Sequence, residues 1–143
     1  MNRVELAKGI YYVGAVDWNV RDFHGYTTPR GVTYNAYLIV DEKIALIDLV
    51  KAPFAGELLE RIRDIVDPAK IDYVVVNHVE NDHCGALPYL SRMFSGVRAY
   101  ATAPTGRIMD RMLHNSVSVM ETLARERAIA ERVVKEISAR LGF

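Results

Sequence analysis

The chain has 143 residues, with 18 basic and 18 acidic side chains, four histidines and one cysteine. That length suits one domain, and the half-hydrophobic composition is globular, which excludes disorder as the default state. A formal net charge of zero excludes a bulk electrostatic grip on nucleic acid or an anionic membrane. A lone Cys84 forms no internal disulfide, Met1 to Lys8 carries no signal-peptide core, and no apolar run reaches membrane-helix length. A cytoplasmic protein is therefore expected.

No internal repeat is visible. Gly9 to Val16, with Ile10, Tyr11, Tyr12 and Val13, suits a strand. Asp17 to Gly31 reads as a long polar and aromatic loop holding Trp18, Phe23, His24 and Tyr26. Its aromatics either wall a small apolar pocket or anchor the loop to the core. Tyr34 to Val40 and Ile44 to Leu49, separated by Asp41-Glu42-Lys43, read as a hairpin. Pro53 to Val66 has helical spacing, with Phe54, Leu58, Leu59, Ile62, Ile65 and Val66 at three- and four-residue steps, and Asp67-Pro68 closes it.

Ile71 to Val76 is a short valine-rich run that suggests a strand buried on both faces. A polar loop, Asn77 to Gly85, follows it. Ala86 to Phe94 then suits a helix and Val97 to Thr102 a strand. Beyond Pro104, Met109, Met112 and Leu113 share a helical face. From Met120 to Leu141 the spacing predicts one amphipathic helix of about six turns. The order predicts an α/β fold in two parts, residues 1–103 with the strands and 104–143 as a helical segment.

The chemistry-bearing stretch is His78-Val79-Glu80-Asn81-Asp82-His83, directly after the valine strand. In α/β proteins ligands gather where strands end. Alternate residues of an extended segment point the same way, so His78, Glu80 and Asp82 can converge, and a turn brings in His83. Two imidazoles and two carboxylates are enough to start two neighbouring metal sites. The plain alternative is a solvated loop with an acidic helix cap. Imidazole-rich sites suit zinc, whereas mixed histidine and carboxylate ligation with open positions suits non-haem iron. Glu80 adds a hard anionic donor, so the pattern leans towards redox-active iron. Cys84 is either a soft ligand or redox thiol, or a small buried residue.

Val16-Asp17-Trp18, Arg21-Asp22-Phe23-His24-Gly25-Tyr26, Gly31-Val32-Thr33-Tyr34-Asn35-Ala36-Tyr37-Leu38 and the 78–83 stretch together resemble the flavodiiron proteins (A-type flavoproteins). These join a metallo-β-lactamase-like domain to a flavodoxin-like one. The resemblance covers roughly Gly9 to Pro104. It implies the N-terminal half of an αββα sandwich, here followed by a long C-terminal helix. It implies that His78 and Glu80 bind one iron, that Asp82 and His83 bind the other, and that His24 lies where the diatomic substrate lands. It further implies reduction of dioxygen or nitric oxide at a diiron centre, with electrons arriving through flavin mononucleotide.

Three departures from the family pattern stand out. The family uses further ligands downstream, a histidine for each iron and a bridging aspartate, whereas His114 is the sole histidine after His83. His114 is either a ligand or a surface residue of a helix. The flavodoxin-like part is absent, so FMN is expected only from another domain or chain. Asn81 and Cys84 stand where the family commonly has proline and serine. The expectation is a truncated or diverged flavodiiron-type oxidoreductase domain, in a homo-oligomer, served by an electron-donor flavoprotein or rubredoxin. The alternatives are a non-catalytic metal-binding or assembly module completed by oligomerisation, and a dinuclear metallohydrolase.

Overall fold

A computed structural model describes residues 3–91, 93 and 97–101. The predicted 104–143 helices, with His114, lie outside the described residues. Ten strands are described: β1 Val4–Ala7, β2 Ile10–Tyr12, β3 Ala15–Asp17, β4 Asp22–Phe23, β5 Tyr26–Thr27, β6 Val32–Tyr34, β7 Tyr37–Val40, β8 Ile44–Ile47, β9 Tyr73–Val76 and β10 Arg98–Ala101. The helices are α1 Ala55–Arg63 and two single turns, α2 Asn81–Cys84 and α3 Leu87–Leu90. One-turn 3₁₀ segments occupy Ala52–Phe54 and Pro68–Lys70.

Six strands form one sheet in the order β1-β2-β7-β8-β9-β10. The first four pair antiparallel, whereas β9 runs parallel to both β8 and β10. The predicted hairpin is β7–β8, in register from Tyr37↔Ile47 to Val40↔Ile44. Helix α1 and its flanking turns form the crossover from β8 to β9, which two parallel neighbours require.

Leu38, Leu46 and Val74 make one row across three strands and are fully buried. Leu58 and Ile62 of α1, together with Leu87 and Leu90 of α3, join them in one core. Tyr37, Ile47 and Val75, the row on the opposite face, are half-buried. The valine strand is therefore closed on its α1 side and only half-covered on the other.

The stretch read as one strand, Tyr34 to Val40, is two. Residues 32–34 pair with β3 in a separate two-stranded sheet, and 37–40 pair with β2. Gly9 to Val16 divides in the same way, and the amides of both Val13 and Gly14 donate to the Ala36 carbonyl at the division. The loop 17–31 contains a hairpin, β4–β5, turned by His24-Gly25 with φ of 53° and 79°. Positive φ at both central residues is the condition for a tight turn that matches strand twist. Phe23 is half-buried against the core, but Trp18 and Tyr26 are 66% and 76% exposed, so they do not anchor the loop.

Candidate metal centre

The carboxyl ends of parallel β8 and β9 lie side by side, and the polar groups collect there. The chain leaves β8 through Asp48, a non-glycine residue at φ 52°. Its amide donates to the Val75 carbonyl at 2.8 Å. Its carboxylate accepts from the Asn77 amide at 2.7 Å, which ties the exit of β8 to the exit of β9. Aspartate tolerates this left-handed backbone better than most residues.

Beyond Asn77 the segment reaches α2 within four residues. The Glu80 carbonyl accepts from the amides of His83 and Cys84 at 2.9 and 3.0 Å, which starts the turn. The Leu49 amide donates to the His83 carbonyl at 2.7 Å, and the Ala86 amide to the Val50 carbonyl at 2.8 Å. The loop is thus pinned to Leu49 and Val50, on the segment that leaves β8. Cys84 is fully buried beneath it, with its thiol donating to the Val79 carbonyl at 3.0 Å. Burial, reinforced by the nearby Asp48 and Asp82 charges, pushes this thiol up to about 11. A thiol kept protonated is a filler, not a nucleophile.

On this frame the side chains take three kinds of position. Glu80 lies between two imidazoles, with Oε2 3.3 Å from His24 Nε2 and Oε1 3.2 Å from His78 Nε2. Asp82 Oδ2 lies 3.3 Å from His83 Nε2, and Asp48 Oδ2 is 3.5 Å from His83 Nδ1. The His78 and His83 rings meet edge to face at 5.1 Å. His24 comes from the tip of the β4–β5 hairpin, where Phe23 packs against its ring at 4.2 Å. All five residues named from the sequence therefore share one neighbourhood. Donor atoms of His24, Glu80 and Asp82 lie within 4.8 Å of one another.

Beneath the hairpin a buried pair supports the platform. The Tyr34 hydroxyl donates to Asp17 Oδ2 at 3.0 Å, and the Asn19 amide donates to Asp17 Oδ1 at 3.0 Å. Burial, followed by this bond to a carboxylate, pushes the Tyr34 phenol up to about 12. Asp48 is the residue that the sequence reading missed. Its signal was an acid interrupting the apolar run from Ile44 to Val50.

Residues 32–139 match the model of the family described as "ODP family beta lactamase". The chain belongs to this ODP beta-lactamase family. Among curated relatives, it is 56% identical over 92 residues to a nitric oxide reductase of Moorella thermoacetica, which is 63% of this chain and 23% of that protein. It is 47% identical over 115 residues to a rubredoxin-oxygen oxidoreductase of Megalodesulfovibrio gigas, covering 80% of this chain and 29% of the relative. The flavodiiron protein from Giardia intestinalis superposes with a TM-score of 0.78 at 38% identity, over 84% of this chain and 30% of that one. A metallo-beta-lactamase from Cronobacter sakazakii, at 21% identity and TM-score 0.61, shows the shared fold alone. The chain thus spans about a quarter to a third of the relatives it matches. The expected family and α/β fold are both found.

Proposed function

We propose that this chain supplies the metal-binding part of a flavodiiron-type oxidoreductase that reduces dioxygen or nitric oxide. The observation that carries the reading is the gathering of His24, His78, Glu80, Asp82 and His83 at the ends of two parallel strands. The donors suit iron, since mixed imidazole and carboxylate ligation favours it. Moreover, His83 Nδ1 is buried and makes no hydrogen bond, as a nitrogen kept for a metal would be. His78 and Glu80 would hold one iron, Asp82 and His83 the other. Bound irons would supply electrons to the diatomic substrate, and flavin mononucleotide on another domain or chain would replenish them.

The chain's own residues fix the donors and screen the site. The Asp48–Asn77 lock sets the distance between the two strand exits, and the Leu49 amide holds the His83 backbone. The β4–β5 hairpin brings His24 to Glu80, and Phe23 packs against the His24 ring, so His24 would line the place where a small diatomic ligand lands. No helix among the described residues is long and apolar enough to cross a membrane. We place the protein in the cytoplasm, as a homo-oligomer that receives electrons from a flavoprotein or rubredoxin. The half-covered row of Tyr37, Ile47 and Val75 supports association, since apolar faces drive it.

Anaerobic loading with ferrous iron, followed by elemental analysis and stopped-flow oxidation, tests the reading. Two irons per chain, oxidised on mixing with dioxygen or nitric oxide, are expected. Glu80→Ala should abolish iron retention. Zinc retention with ester turnover would overturn the reductase in favour of a metallohydrolase. Failure to retain any metal would leave an assembly module.

A further inference from the structure

We infer that Tyr34 and Asp17 form a proton-coupled electron donor: the tyrosine gives one electron to a strong one-electron oxidant while its proton passes to the aspartate. Neither residue belongs to the metal-donor set. The Tyr34 ring is 1% exposed, and Asp17, at 9%, is the sole buried charged side chain among the described residues. Among those residues no lysine or arginine pairs with Asp17. Its oxygens accept from the Tyr34 hydroxyl and the Asn19 amide, each at 3.0 Å. A buried carboxylate without a cation is costly. Anchoring a ring needs only a neutral acceptor, as at Tyr12, whose hydroxyl donates to the Ala15 carbonyl at 3.3 Å. A carboxylate can take that proton; a carbonyl cannot.

The step balances within the pair. A phenol that loses an electron becomes a strong acid. Tyr34 gives one electron to the oxidant, its Oη–H bond breaks, and the proton crosses the 3.0 Å bond to Asp17 Oδ2. The products are a neutral tyrosyl radical, an uncharged aspartic acid and an oxidant reduced by one electron. Burial and this bond keep Tyr34 protonated until then, with the phenol pushed up to about 12. Phe23 and Phe54, with ring centroids 6.4 and 5.3 Å away, shelter the radical. Phe23 also packs at 4.2 Å on the His24 ring, and the Asp82 charge reaches the phenol. An oxidant arising at the neighbouring centre, a source that rests on the reductase reading above, would draw on Tyr34 across those ring contacts.

The test uses the metal-free full chain and photo-oxidised ruthenium tris-bipyridine, with methyl viologen as the electron acceptor. Radicals are followed by transient absorbance and freeze-quench electron paramagnetic resonance. Those formed on the exposed Trp18, Tyr26 and Tyr89 decay by collision, whereas one on Tyr34 persists. The expected result is a long-lived tyrosyl signal that Tyr34→Phe removes. Asp17→Asn, which keeps an acceptor oxygen but loses the base, should slow its rise by about tenfold, the order expected when a charged acceptor becomes neutral. In wild-type protein the rise should be slower in D2O than in water, a readout that needs no variant to fold and that a purely structural bond would not give. A long-lived signal that survives in folded Tyr34→Phe, an unchanged rate in Asp17→Asn, equal rates in the two solvents, or no long-lived signal in wild type overturns the inference. Because no metal is present, any of these leaves the reductase reading standing, and failure of iron retention leaves the pair standing.

Discussion

Replacing Tyr34 with phenylalanine removes one oxygen from a ring that is 1% exposed. The ring keeps its contacts with Phe54 at 5.3 Å and Phe23 at 6.4 Å, so packing is preserved. What is lost is the 3.0 Å bond to Asp17, whose side chain retains the Asn19 amide. A hydrogen bond to a charged group contributes about 1.5–3 kcal/mol, and a buried carboxylate left short of a donor incurs a cost of that order. Tyr34→Phe should therefore lower stability by about 2 kcal/mol at pH 7, measured by urea unfolding with an unchanged m-value.

The same contact makes a second forecast about pH. The Tyr34 phenol is held up to about 12 from its ordinary 10.0, so the folded state keeps a proton that the unfolded chain loses. The stabilisation is complete below pH 10 and drains away between 10 and 12. The gap between wild type and Tyr34→Phe should shrink across that window. A variant within about 0.5 kcal/mol of wild type at pH 7, or a gap that stays constant to pH 12, would refute the argument.

Gly31→Ala should fail to fold or lose most of the thermal transition in circular dichroism. Its φ is 81°, and an added Cβ would sit 2.1 Å from the Asp17 carbonyl oxygen, a backbone atom with no room to yield. Asp48→Ala loses both a residue tolerant of left-handed backbone and the acceptor for Asn77, a cost of about 2–4 kcal/mol by denaturant titration. Asp48→Asn keeps the backbone preference and an oxygen, so it should lose about half as much; equal losses would discard the strain component. Cys84, with its thiol near 11, should react with Ellman's reagent at pH 8 about a hundredfold more slowly in the native state than in urea. Equal rates would show that the thiol is not held protonated.

The elements legible from the sequence are those that local pattern determines. The hairpin β7–β8 announces itself by two apolar runs around Asp41-Glu42-Lys43, and β9 by its valines. Strand β1 was not read, because Val4 and Leu6 are exposed on an edge and only pairing with β2 orders them. The division of Tyr34 to Val40 was hidden for a related reason: a chain that changes sheets at Asn35-Ala36 keeps the same residue preferences on both sides. The turn at His24-Gly25 left a faint trace, a glycine between Phe23 and Tyr26, but the strong signals for such a turn are Asn-Gly and Asp-Gly, not His-Gly. At the centre itself, residue types were readable and neighbours were not. The approach of His24 to Glu80 depends on how a hairpin folds over a sheet, and Asp48 gains its meaning only when β8 and β9 lie parallel.

The parallel pairing of β8 with β9 also dictates when this centre can come into being. Antiparallel partners such as β7 and β8 zip from a short turn, but Asp48 and Asn77 stand 29 positions apart along the chain. Closing that span demands that the intervening helix first fold back across the sheet, a slower event than hairpin growth. Until then His24 and Asp48 stay apart from the 78–83 stretch that carries the other four groups. Full assembly of the centre therefore waits on tertiary docking, and an early-arriving cation would meet the 78–83 groups without His24 and Asp48 beside them.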